Sequence, residues 1–131
     1  MSSPDQSISI TYRLNTASLE SLYDHLVRCS SIFEPELDSY VNIPHYAEKI
    51  KKNAECIEAW VQEKLVGLLA IYLNNHDNKE GFITNVSVES EYHGQSIGSE
   101  LIRRGLDLAV NQGYSSVKLE VFKINSAAIR L

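Results

Sequence analysis

A β-branched run over residues 83–88 is followed by the small-residue turn His93-Gly94-Gln95-Ser96-Ile97-Gly98-Ser99 and then by an amphipathic pattern over residues 100–112. A further strand-like run occupies residues 116–122. Strand, turn, helix and strand in that order make a crossover, and a crossover requires its two strands to lie parallel in one sheet. Small residues at the first junction let the backbone bend tightly and aim several N–H groups at one point. That point is the positive end of a helix dipole, where an anion such as a pyrophosphate can sit. Taken alone, the same residues also satisfy the steric needs of any strand-to-helix turn.

The rest of the chain is read around that crossover. Residues 8–14 alternate, with Ile8, Ile10, Tyr12 and Leu14 on one side, as a half-exposed first strand does. Thr16 is placed to cap a helix whose apolar residues Leu19, Leu22, Tyr23 and Leu26 recur at helical spacing. Residues 30–42 have no period and read as a loop. Pro44 opens a short helix to about Lys52, with Tyr46, Ala47 and Ile50 inward. Residues 56–62 form a strand, and a turn at Glu63-Lys64 returns the chain through residues 65–73. That second run is almost wholly apolar, so both its faces should be covered and it belongs in mid-sheet. A polar hairpin loop over residues 74–81 leads into the strand 82–88. On the helix after the small-residue turn, Ile97, Leu101, Ile102, Gly105, Leu108 and Ala109 form one apolar arc. Gly105 within it predicts close packing on the sheet, and Gly113 ends the helix. Asn125 is read as opening a last helix over residues 125–131. The fold expected is α/β (α+β), a mixed central sheet with an antiparallel first half and a parallel strand-helix-strand second half. Residues 1–131 are expected to form a single domain, apparently truncated at the last helix.

At 44% hydrophobic and 22% charged residues, the 131-residue chain has globular rather than disordered composition. Its net charge of −5 argues against a nucleic-acid binder and leaves amine-bearing ligands as reasonable partners. Cys29 and Cys56 have neither zinc nor disulfide-framework spacing, which favours a reduced cytosolic compartment. The amino terminus lacks the order of a signal peptide, and no apolar run approaches a membrane span. A cytoplasmic protein with no membrane partner is expected. The four histidines, His25, His45, His76 and His93, show no ligand spacing; they are read as solvent or turn residues, with no metal expected. The P-loop pattern is absent, and strands before the turn do not alternate with helices as in a Rossmann dehydrogenase.

Two motifs make the chain resemble the GNAT superfamily of acyl-CoA-dependent N-acyltransferases. The turn His93-Gly94-Gln95-Ser96-Ile97-Gly98 is similar to the family's Q/R-x-x-G-x-G/A, with His93 for the first residue and Ser96 for the first glycine. Residues 119–131, Leu119-Glu120-Val121 through Asn125, Ala128 and Leu131, resemble L-E-V-x-x-x-N-x-x-A-x-x-L-Y. The resemblance implies acetyl-CoA as donor and an amine of a small molecule or peptide as acceptor. It implies that the backbone of Val86, Ser87 and Val88 pairs with the pantetheine arm, with Val88 N–H polarising the thioester carbonyl. The turn from His93 to Ser99, including Gln95 and Ile97, would hold the pyrophosphate, and Asn125 the pantetheine region. Glu120 would be the general base; another carboxylate position used by relatives is here Phe82. Phe33, Glu34, Tyr40 and Tyr72 are the candidates for lining the acceptor pocket. A catalytically incomplete acyl-CoA-binding or interaction module is the alternative, motivated by His93, Ser96 and the short tail. An uncovered edge on the strand 116–122 would invite a partner subunit, as in a homodimer.

Overall fold

The computed structural model describes residues 9–33, 35–120 and 126–130. Six strands, β1 (Thr11–Leu14), β2 (Glu55–Val61), β3 (Lys64–Tyr72), β4 (Glu80–Val88), β5 (Ser116–Glu120) and β6 (Ser126–Arg130), form one sheet in sequence order. Pairs from β1 to β4 are antiparallel, β4 and β5 are parallel, and β5 and β6 are antiparallel. Helices α1 (Leu19–Cys29) and α2 (Ile43–Asn53) cover one face of the sheet, and α3 (Ile97–Asn111) covers the other. No helix among the described residues is long and apolar enough to cross a membrane.

The apolar run in mid-sheet behaves as its composition dictates. Leu65 and Leu68 of β3 enter the core under α1 and α2, while Val66, Leu69 and Ile71 enter the core under α3. Helix α3 sits close because Gly105 permits it: a Cβ there would lie 2.9 Å from Leu69 Cδ2. The helix starts differ in one case. Asn42 caps α2 through its side chain, but α1 is capped by Ser18, which accepts from Ser21 N. Thr16 does not cap because its hydroxyl and N–H are both taken by Glu58.

Helix α1 also turns a different stripe inward from the one expected. Leu22, His25, Leu26 and Cys29 are buried, whereas Leu19 and Tyr23 are exposed. Both stripes follow i, i+3, i+4, i+7 spacing, so periodicity alone does not choose between them. The stripe containing His25 wins because the ring finds polar partners on the sheet. The solvent or turn position expected for His25 is therefore corrected.

The last segment is corrected as well. Residues 126–130 are strand rather than helix, and they pair with β5 in the register Ser116↔Arg130 to Glu120↔Ser126. A helix of so few residues closes only a bond or two and does not repay its nucleation, whereas pairing satisfies a whole strand edge at once. The β5 edge from which a partner subunit was expected is covered by β6.

One irregularity positions the site. In the β3–β4 ladder Ala70 faces Asn85 but Ile71 faces Ile83, so Thr84 is an extra residue in β4. The bulge lies where β5 leaves its neighbour, since the last β4–β5 pair is Ile83↔Leu119. A bulge bends its strand and ends regular pairing, and here it splays β4 from β5.

Candidate active site

Beyond the bulge, one edge of β4 is unpaired among the described residues. Glu89 N donates to Val66 O at 2.9 Å, so alternation along an antiparallel ladder turns Asn85 and Ser87 main-chain groups toward β3 and those of Val86 and Val88 away from it. On that outer edge Val88 O accepts from His93 Nε2 at 2.8 Å. The Val86 and Val88 N–H groups and the Val86 carbonyl form the remaining edge, the kind of surface on which an extended ligand adds as a strand.

The turn beside this edge ends in a helix N-terminus, the kind of feature that suits an anion. Gly94 has φ +85°, a conformation that favours glycine, and Ser96 stands at φ +61°, ψ +22° as the N-cap of α3. In that left-handed conformation the Ser96 side chain makes no capping hydrogen bond, so the first-turn N–H groups of α3 are left for something else. The nearby arginines are engaged: Arg103 and Arg104 both bind Glu100, and Arg103 also binds Asp107. Backbone dipoles, not a cationic side chain, therefore set the field at the turn.

Edge and turn share one cleft of about 480 Å³. Of the expected cofactor residues, Val86, Ser87, Val88, His93, Gly94, Ser96, Ile97, Gly98 and Ser99 line it. Gln95 lies in the turn without lining the cleft, and Asn125 lies outside the described residues. Ile32 and Tyr92 line it too and were missed, having no motif to mark them. Glu120 is the last residue of β5, one position past the Ile83↔Leu119 pair and so at the mouth of the splay.

The residues proposed for the acceptor lie on the α1/α2 side. Phe33 packs against the core there, and Tyr72 stacks on Phe82 with ring centroids 6.3 Å apart. Burial raises the phenol pKa of both Tyr40 and Tyr72, and each also feels the Tyr46 hydroxyl, so the three rings share one neighbourhood. Tyr46, read from the sequence as plain core, donates to Thr84 O at 2.8 Å and thus touches the bulge itself. Glu34 lies outside the described residues. Burial pushes the thiols of Cys29 and Cys56 up to about 12, which keeps both protonated and unsuited to act as nucleophiles. A second hollow of about 310 Å³, beside Lys51, Glu55 and Glu58, is a structural clamp: the Glu58 carboxylate in it is consumed by four protein donors.

Ser96 carries a prediction for stability. A left-handed serine costs about 1–2 kcal/mol that glycine avoids, and the greater unfolded freedom of glycine returns part of that gain. Ser96→Gly should therefore stabilise the fold by about 0.5–1 kcal/mol in urea titration; a destabilised variant would contradict the strain.

The sequence model of the acetyltransferase (GNAT) family matches residues 19–131. N-alpha-acetyltransferase 30 of Xenopus laevis is 30% identical over 78 residues, which are 58% of this chain and 29% of that protein. The chain thus spans under a third of that curated relative. The ribosomal-protein-S18-alanine N-acetyltransferase of Escherichia coli superposes with a TM-score of 0.69 at 17% identity, covering 89% of this chain and 70% of that one. A GNAT family N-acetyltransferase of Escherichia coli, solved in complex with CoA, superposes with a TM-score of 0.70 at 16% identity, covering 91% and 66%. At these identities the two structures speak to the fold.

Proposed function

Since this chain belongs to the acetyltransferase (GNAT) family, we propose that it transfers an acetyl group from acetyl-CoA to a primary amine of a small molecule or protein amino group. The observation that carries the proposal is the meeting, in one cleft, of a helix N-terminus without a side-chain cap and a strand edge unpaired among the described residues. Those two features suit the two chemically different parts of the donor. The N–H groups from Ser96 to Ser99 would hold the pyrophosphate, and the Val86 and Val88 edge would take the amide-bearing pantetheine arm as an added strand. Val88 N–H would polarise the thioester carbonyl, and Glu120 would take the proton of the amine. Tyr40, Tyr46, Tyr72 and Phe33 border the side from which the acceptor would approach. Bound acetyl-CoA supplies the activated acyl group; the chain supplies alignment and proton removal.

Calorimetry of the full chain with acetyl-CoA, paired with transfer assays on an amine panel, tests this. Micromolar binding with transfer to at least one amine is expected. Gly98→Asp puts a carboxylate on the cleft wall where a Cβ meets no protein atom, so the fold should persist while binding weakens about tenfold or more. No binding would overturn the proposal. Binding with no transfer to any amine would favour a binding module instead.

A further inference from the structure

Val88 is the last residue of β4, and its carbonyl faces away from β3 on the edge that β5 has left. A carbonyl so placed needs a donor. The chain supplies one from five residues further on, where His93 Nε2 lies 2.8 Å from Val88 O. A backbone oxygen has no proton to give, so the imidazole donates. The neutral and the charged ring can both do this, and the contact places no requirement on ionisation.

A short turn makes the reach possible. Ser90–Tyr92 form one turn of 3₁₀ helix, with Tyr92 N donating to Glu89 O at 2.9 Å and His93 N to Ser90 O at 3.1 Å. His93 is extended, at φ −67°, ψ 151°, and Gly94 then takes the backbone into the left-handed region at φ +85°. The base of the turn is fixed: Glu89 binds Arg28 of α1 at 2.5 Å and Lys64 of β3 at 3.2 Å, and its N–H donates to Val66 O. The His93 ring, by contrast, is exposed, and among the described residues Val88 O is its one hydrogen-bond partner. A ring held by a single bond on a fixed turn suits a contact that forms and breaks.

The place the ring occupies gives that contact its meaning. His93, Val86 and Val88 line the same cleft. An extended arm bearing amides adds to a strand edge by exchanging bonds both ways, its C=O groups accepting and its N–H groups donating. Val86 offers both of its groups, whereas the oxygen of Val88 is already engaged. An added strand runs about 4.8 Å from its neighbour, with each donor nitrogen about 2.9 Å from the oxygen it binds. The His93 nitrogen stands at that distance on that edge, so the ring lies in the path of such a strand.

We propose that His93 is a displaceable cap that sets the affinity of the donor site: the arm of acetyl-CoA must turn the imidazole off Val88 O before its own amide N–H can bind there. This rests on the acetyl-CoA reading of the cleft. Only a ligand with the arm meets the cap. A ligand held at the N-terminus of α3 alone leaves His93 in place.

Calorimetry of the full chain with two probes separates the cap from the turn: acetyl-CoA, and adenosine 3′,5′-bisphosphate, which has the donor's nucleotide end without its arm. His93→Ala should bind acetyl-CoA about three- to tenfold more tightly than the unaltered chain, because one hydrogen bond need no longer be broken, and should bind the bisphosphate equally. His93→Gln keeps an N–H at similar reach and should stay within about twofold of the unaltered chain. Unchanged or weaker acetyl-CoA binding in His93→Ala overturns the cap, as does an equal gain for the bisphosphate or a gain in His93→Gln as large as in His93→Ala. Long-range ¹H–¹⁵N NMR supplies a readout that a merely structural histidine would not move. The His93 Nε2–H signal should shift when acetyl-CoA saturates the chain, and an unmoved signal overturns the proposal. If the bisphosphate binds too weakly to measure, the acetyl-CoA affinities and the NMR decide. If neither the unaltered chain nor His93→Ala binds acetyl-CoA, the cofactor reading falls and the cap with it, whereas binding by the unaltered chain with no gain in His93→Ala removes the cap alone.

Discussion

Glu120→Gln should lower turnover on a preferred amine by about 10²–10⁴-fold while leaving acetyl-CoA binding unchanged. An alkyl ammonium with a pKa of about 10.4 must lose its proton before it can attack, at a cost of roughly 4–5 kcal/mol at pH 7. A general base would offset that cost, the role proposed for Glu120. Glu120 is placed at the splay by register, as the first residue of β5 beyond the last pair with β4. Glutamine keeps the size of the side chain and loses only the basic oxygen, so cofactor binding at the turn and along Val86 and Val88 has no reason to change. The sign of the pH dependence follows. As pH rises toward about 10 the amine deprotonates in solution, the base matters less, and the gap between the two variants should narrow. Turnover undiminished at every pH would remove Glu120 from the mechanism.

The fold was legible where one physical requirement dominated. Eight consecutive near-apolar residues in β3, Leu65 to Tyr72, fit a strand covered on both faces. Gly105 in an otherwise good helix signals close approach, and the Leu69 contact supplies it. Legibility failed where two requirements competed at similar cost. In α1 the stripe through Leu19 and Tyr23 is more apolar than the stripe through His25 and Cys29, yet the latter is buried. Pairing of His25 with Ser87 and Leu65 decides this, and those partners are 62 and 40 residues away in the chain. Residues 126–130 were misread for a similar reason, since a local helix pattern competed with an open strand edge that only the assembled sheet provides. At the site, the turn was visible from its small residues, whereas the Thr84 bulge was not. Its signature is a shift of register between two strands, and no single residue type announces it.

The largest loss of stability is expected at Glu58, a residue without any part in the cleft. It is wholly buried on β2, and no cation pairs with it among the described residues. Its charge is held instead by four donors: Thr16 N and Ala17 N at 2.9 Å, Thr16 Oγ1 at 2.5 Å and Trp60 Nε1 at 3.0 Å. The first three come from the turn between β1 and α1, so this carboxylate fastens the start of α1 to the sheet. Glu58→Ala strands these donors in a dry interior and should cost on the order of 3–5 kcal/mol. Glu58→Gln should cost less, because one oxygen still accepts two bonds while the new NH₂ faces the other two donors. Chemical denaturation of the two variants separates them, and a loss below about 1 kcal/mol in Glu58→Ala would show that the turn holds without the clamp. The consequence reaches the site through α1. His25 lies seven residues beyond the cap at Ser18 and its Nε2 lies 2.8 Å from Ser87 Oγ on the cleft wall, so a loosened helix start should loosen that contact, and binding of the proposed donor, acetyl-CoA, should weaken in Glu58→Ala even at denaturant concentrations where the sheet is still folded.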